Sequence, residues 1–212
     1  MNATRTRRAL LLEARLQWRH RVVALIAALA AAWSGLLLAL PTAAAEKAAP
    51  WLLVLETALT GITLAGVLVL FDRGQGVLAA LTTSPLRLGE YLTGKVGMLT
   101  ILVLASATPI ALAGHVDVAR LPLVLASVGL VAVLAMLIAV ATAARCRSVI
   151  GFMIALPLIL LPLLVPPVLH AAGFGNPLLY AAPTTGAMDA ARAGFGGSAR
   201  LSAVWLGWLA LA

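Results

Sequence analysis

The sequence is poor in charge. Of its 212 residues only 10% are charged, while 63% are hydrophobic and the mean hydropathy is +1.07. A water-soluble domain carries about 25% charged residues. This chain cannot coat a globule with polar groups, which excludes an ordinary soluble enzyme or binding module. Cysteine occurs once, at Cys146, so there is no internal disulfide and no cysteine-cluster metal site. The three histidines, His20, His115 and His170, stand near three different ends of apolar runs and share no helix face. No metal site is therefore expected. No Ser/His/Asp set or pair of carboxylates marks the apolar runs either, so no catalytic residue and no cofactor are expected. An intramembrane enzyme is disfavoured on the same ground.

What the sequence has in quantity is apolar runs. A helix needs about 20 residues to cross a bilayer. Five runs are long enough, at 22–40, 51–71, 96–114, 121–144 and 149–169. A sixth, 201–212, stops after 12 residues and is expected to be a truncated sixth span. The fold class expected is an all-α polytopic membrane protein with a single transmembrane domain over 22–212. A secretory leader is the competing reading of the start, because Ala43-Ala44-Ala45 resembles a cleavage site. The first run is too long for a leader of about 7–15 apolar residues, so a retained span is expected.

The net charge of +8 would suggest nucleic acid if the basic residues clustered on a polar surface. They lie instead between the apolar runs. Eleven of the 15 fall on one side: Arg5, Arg7, Arg8, Arg15, Arg19, Arg21, Arg73, Arg87, Lys95, Arg145 and Arg147. Only Lys47, Arg120, Arg192 and Arg200 fall on the other. The positive-inside rule then puts the N-terminus in the cytoplasm and the chain, multi-pass, in the cytoplasmic (inner) membrane. Residues 1–21 read as an amphipathic helix lying in the membrane surface. Leu12 and Leu16 share one face, Leu11 and Trp18 lie beside it, and the rest is basic. Membrane lipid is its expected partner, and nucleic acid is not.

The stretch "GEYLTGKV", residues 89–96, nearly matches a phosphate-binding loop. Val96 stands where a hydroxyl should hold magnesium, and no strand precedes Gly89. Nucleotide binding is not expected. Lys95 reads as an interfacial cation snorkelling at a helix end. Residues 72–90 read as a short connection, in which Val77, Leu78 and Leu81 give a small helix one apolar edge and Ser84-Pro85 ends it. Such an edge suits a groove on a partner.

The run "GVLAALTTSPLRLGEYLTGK" resembles the loop between the second and third helices of type-2 ABC-transporter permeases, and of the small fluoroquinolone-export permeases in particular. "NPLLYAAPTTGAMDAARAG", residues 176–194, is similar to the extracytoplasmic segment before that family's last helix. The resemblance implies six spans, an interfacial N-terminal helix and a cytoplasmic coupling helix. It implies two partners: a separate ATPase subunit, and a second permease copy or paralogue. Asp72, Arg73 and Gly76 match the start of the family's coupling region, which would continue through Val77, Leu78, Leu81 and Pro85. Gly74 and Ala79 stand where acidic residues are frequent. A non-transporting membrane scaffold is the alternative function.

Within the spans, Glu56 lies about one turn from the outer end of the second. A carboxylate at mid-bilayer costs about 2.5–3.5 kcal/mol, so it should face a neighbour or a wet path. Thr57, Thr60 and Thr63 accompany it. Pro157, Pro162, Pro166 and Pro167 crowd the fifth run and Pro109 the third, each inviting a kink. The fifth helix is expected inside the bundle or lining the path, with Glu56, Thr60, Pro157 and Pro162 as path or packing residues. Residues 171–200 hold six glycines with Pro177 and Pro183, and read as one or two short re-entrant helices.

Overall fold

The computed structural model describes residues 22–77, 88–174 and 176–196. In lipid a spanning segment must satisfy its backbone polar groups within itself, so apolar runs of this length fold as helices. Among the described residues five helices are long and apolar enough to cross a membrane: α1 (Val22–Ala39), α2 (Thr42–Gly74), α3 (Leu88–Ala113), α4 (Leu121–Ala143) and α5 (Val149–Ala171). A shorter α6 (Pro183–Gly194) follows. Two 3-10 turns, Val118–Arg120 and Pro177–Ala181, lead into α4 and α6, and no strand occurs among the described residues. The protein is an all-α polytopic membrane protein. Its outer surface suits lipid: Ile154 and Leu158 on α5 are each 73% exposed, beside Leu161 and Val168 on the same helix.

At the centre stands α2, packed against α3, α4, α5 and α6, while α1 leans mainly on α3. Small residues let these helices approach closely. A methyl group at Gly66 would lie 2.0 Å from the ring of Phe152 on α5, and one at Gly61 would lie 3.5 Å from the Ala132 carbonyl on α4. Phe152 is fully buried and has nowhere to go. Gly66→Val should therefore overpack this contact and destabilise the bundle by about 1–3 kcal/mol. Thermal unfolding in detergent will show a lowered midpoint that the double variant Gly66→Val/Phe152→Ala partly restores. An unchanged midpoint for the single variant would refute the close contact.

Several boundaries differ from those read in the sequence. The second helix begins at Thr42 rather than at 51, so Pro50 lies inside it. The alanine-rich segment before Pro50 is strongly helix-forming, and the proline removes only its own amide from the ladder. The third helix begins at Leu88 rather than at 96, so "GEYLTGK" forms its opening turns. α5 stays a continuous helix through all four prolines and lies along the side of the bundle, with Pro157 and Pro162 exposed. The expectation that it packs inside is corrected: among the described residues it is the least buried of the five spans. The 1–21 helix, the 201–212 run and most of the connection between α2 and α3 lie outside the described residues.

The alternation of helices gathers Arg73, Arg145 and Arg147 at one end of the bundle, called here the basic end. Arg73 Nη1 reaches the carbonyls of Ala144 and Cys146 there. Lys47, Arg120 and Arg192 gather at the far end, where Arg120 Nη1 donates to the Ala193 carbonyl at 2.6 Å.

Candidate functional site

At the basic end, α2 and α3 form the two stems of the connection, whose residues 78–87 lie outside the described ones. Tyr91 and Lys95 are one helical turn apart on α3, so both side chains point at the last turn of α2. There Asp72 Oδ2 accepts hydrogen bonds from the Tyr91 hydroxyl and from Lys95 Nζ, the latter an ion pair. Lys95 Nζ also sits 5.1 Å from the centroid of the Tyr91 ring. The Lys95 side chain is 4% exposed and that of Asp72 19%. The snorkelling reading of Lys95 is thus corrected: its ammonium turns inward and is neutralised by Asp72, which removes the reason to reach for water.

The next residue works in the opposite direction. Arg73 Nη1 lies 3.4 Å from each of the carbonyls of Ala144 and Cys146, which close the end of α4. Carbonyls at a helix C-terminus are unsatisfied and carry partial negative charge, so a guanidinium is a favourable cap. Consecutive residues of α2 therefore hold α3 and α4. The helix then ends: Gln75 N donates to the Phe71 carbonyl, and Gly76 adopts φ +76°. That left-handed conformation is cheap only for glycine, which explains the residue type at the start of the connection. Val77 is half-buried. Leu78, Leu81 and Pro85 lie outside the described residues. Asp72, Arg73, Gly76 and Val77 stand together at the mouth of the connection, and Tyr91 joins them as a member that sequence reasoning did not single out.

Glu56 lies deeper in α2 and is buried. Thr60 Oγ1 donates to its Oε1 at 3.0 Å, while Oε2 and the hydroxyl of Thr57 are buried with no hydrogen-bond partner among the described residues. Buried polar groups left unpaired are costly, which singles out Glu56 and Thr57 within α2. Pro157 and Pro162, exposed on α5, are not brought to Glu56.

The far end carries a cluster that the sequence did not reveal. Tyr180 donates its hydroxyl to Asp189 Oδ2 at 2.8 Å, and His170 Nε2 lies 3.1 Å from that hydroxyl and 3.3 Å from the same carboxylate oxygen. Burial, then the hydrogen bond and charge of Asp189, push the Tyr180 phenol up to about 12. The set ties α6 to the end of α5. Arg192 stacks 5.0 Å from the Trp51 ring, and Asp117 N donates to the Gly194 carbonyl at 3.0 Å, anchoring the other end of α6. His170 looked isolated in sequence because its partners arrive only after a 3-10 turn; the one available signal was that Tyr180 and Asp189 both interrupt an otherwise apolar and small-residue stretch.

Residues 4–211 match the profile of the fluoroquinolones export permease protein family. Two relatives, both named fluoroquinolones export permease protein and from two strains of Mycobacterium tuberculosis, are each 32% identical over 185 residues. The match covers 86% of this chain and 78% of each relative.

Proposed function

Since the chain belongs to the fluoroquinolones export permease protein family, a group of small ABC-type permeases, we propose that it is the transmembrane subunit of an ATP-driven exporter. The export permease itself lacks catalytic machinery; a separate cytoplasmic ATPase subunit supplies the energy. The cargo is an amphipathic or apolar small molecule, drug-like or lipid-like. A planar amphipathic drug is the class carried over from the names of the relatives. A second copy or paralogue completes the pathway, and α1, on which Leu25 and Leu38 are exposed, offers it an apolar side.

The observation that carries this reading is the double anchorage at the mouth of the α2–α3 connection. Asp72 holds α3 and Arg73 holds α4. A push on the connection therefore meets a stiff joint rather than a loose loop, and reaches α4, α5 and α6 through the central α2. The basic tally supports a cytoplasmic position for this joint and for the N-terminus, in the inner membrane. Glu56 and Thr60, with a buried carboxylate oxygen unpaired, are the groups along α2 most suited to meet a polar part of the cargo.

The test is made in inside-out vesicles holding the chain and its ATPase subunit. A fluorescent fluoroquinolone should accumulate with ATP and fail to do so with a non-hydrolysable analogue. In a Cys146→Ser background, Gln75→Cys should react with an impermeant thiol reagent in these vesicles and stay protected in intact cells. Labelling in intact cells would reverse the topology, and equal uptake without the ATPase would remove ATP from the mechanism.

A further inference from the structure

Beside the joint, a second feature of the basic end is left without a role. A cavity of about 460 Å³ opens between the end of α2 and the start of α5, lined by Leu70, Arg73, Gly74, Arg147, Ser148 and Val149. Two arginines line it and, among the described residues, no carboxylate does. The nearest acid on α2, Asp72, is engaged with Tyr91 and Lys95 on α3. Arg73 spends only Nη1 on the two carbonyls of α4. Arg147 is exposed and has no ion-pair or hydrogen-bond partner among the described residues, whereas its neighbour Arg145 turns back onto the Ala141 carbonyl at 3.3 Å. Ser148 Oγ accepts from Gly151 N at 3.1 Å, so it caps α5 and keeps its own hydroxyl hydrogen for another acceptor.

We propose that this cavity binds a phosphate group, held between the Arg73 and Arg147 guanidiniums with the Ser148 hydroxyl as a third donor. Guanidinium forks match phosphate oxygens in geometry as well as charge, and two of them with no acid among the described lining residues make a positive pocket. Its walls combine that pocket with apolar surface: Leu70 and Val149 line it, and Val149 is 38% exposed. A headgroup phosphate with an acyl chain beside it uses both surfaces, and a free phosphate only the first. The site stands on these residues whether or not the adjoining connection docks an ATPase.

The experiment uses the full chain purified in detergent, with bound lipid counted by native mass spectrometry. Phosphatidylglycerol and the neutral lipid diacylglycerol are offered in equal amounts, with and without inorganic pyrophosphate. Retention of phosphatidylglycerol over diacylglycerol is expected, falling about fivefold in Arg147→Gln, in line with the contribution of one basic residue near an anionic lipid. Arg147→Lys should retain an intermediate amount. If pyrophosphate binds the wild type and displaces the lipid, and Arg147→Gln weakens it about as much, the phosphate site stands with a soluble source. Arg147 avoids the joint, so its loss should leave the unfolding midpoint unchanged. Equal retention of phosphatidylglycerol by wild type and Arg147→Gln, with no effect on pyrophosphate, would overturn the proposal.

Discussion

Lys95→Met should cost this protein about 3–5 kcal/mol of stability, the penalty for removing one partner of a buried ion pair. The ammonium is almost entirely buried, and among the described residues the Asp72 oxygen it serves then keeps the Tyr91 hydroxyl alone. The carboxylate is then left under-compensated at the junction of α2 and α3. Asp72→Asn/Lys95→Met should recover more than half of the loss, because an amide and a thioether leave no unpaired charge behind. Denaturation of the purified chain in detergent measures the stability arm. Export in vesicles measures the other: the single variant should lose most transport even at temperatures where it stays folded, since the stems of the connection are no longer fastened to each other. A Lys95→Met protein as stable and as active as wild type would show the pair to be incidental.

A second large effect, on partner binding rather than stability, is expected at Leu78 and Leu81 in the connection. Leu78→Asp and Leu81→Asp each place a carboxylate where the proposed ATPase groove should close over a leucine. Burying it unpaired, or keeping the contact open, costs about 2–4 kcal/mol, which is about thirtyfold or more in affinity. Neither residue belongs to an apolar run read as a span in the sequence, so membrane levels should stay normal while co-purification of the ATPase and ATP-driven export are lost. Gln75→Lys is the matched control. Gln75 caps the C-terminus of α2, where a cation is favoured by the helix dipole, so it should bind the ATPase as wild type does. Full ATPase association in both Leu variants would place the docking surface elsewhere.

The spans were legible because lipid enforces them: runs of apolar residues of the right length have no other stable fate. Their ends were not, because a polar residue in sequence can mark either a loop or a satisfied partner inside the protein. Asp72 and Lys95 illustrate this. Each alone looks like the edge of a span, and only the return of the chain through the connection brings them together and lets the helices extend past them. Glu56 was legible as a buried acid, and Thr60 as its companion four residues on, because helical spacing alone places them side by side. The His170–Tyr180–Asp189 set depends on how α6 folds back against α5, which no local spacing encodes. The prolines of α5 misled in the other direction. They suggested a helix packed inside the bundle or lining the path, whereas the helix continues through them and is the least buried described span, which removes the first of these readings.

The most direct test of the coupling claim is photo-cross-linking from position 81. Leu81 is replaced by a photoreactive phenylalanine analogue in the full chain, expressed with its ATPase subunit, and Leu158 by the same residue as a lipid-facing reference. The account predicts an adduct of the permease with the ATPase from position 81 and lipid adducts from position 158. Lipid adducts alone from position 81, in membranes that still export their cargo in an ATP-dependent manner, would contradict it.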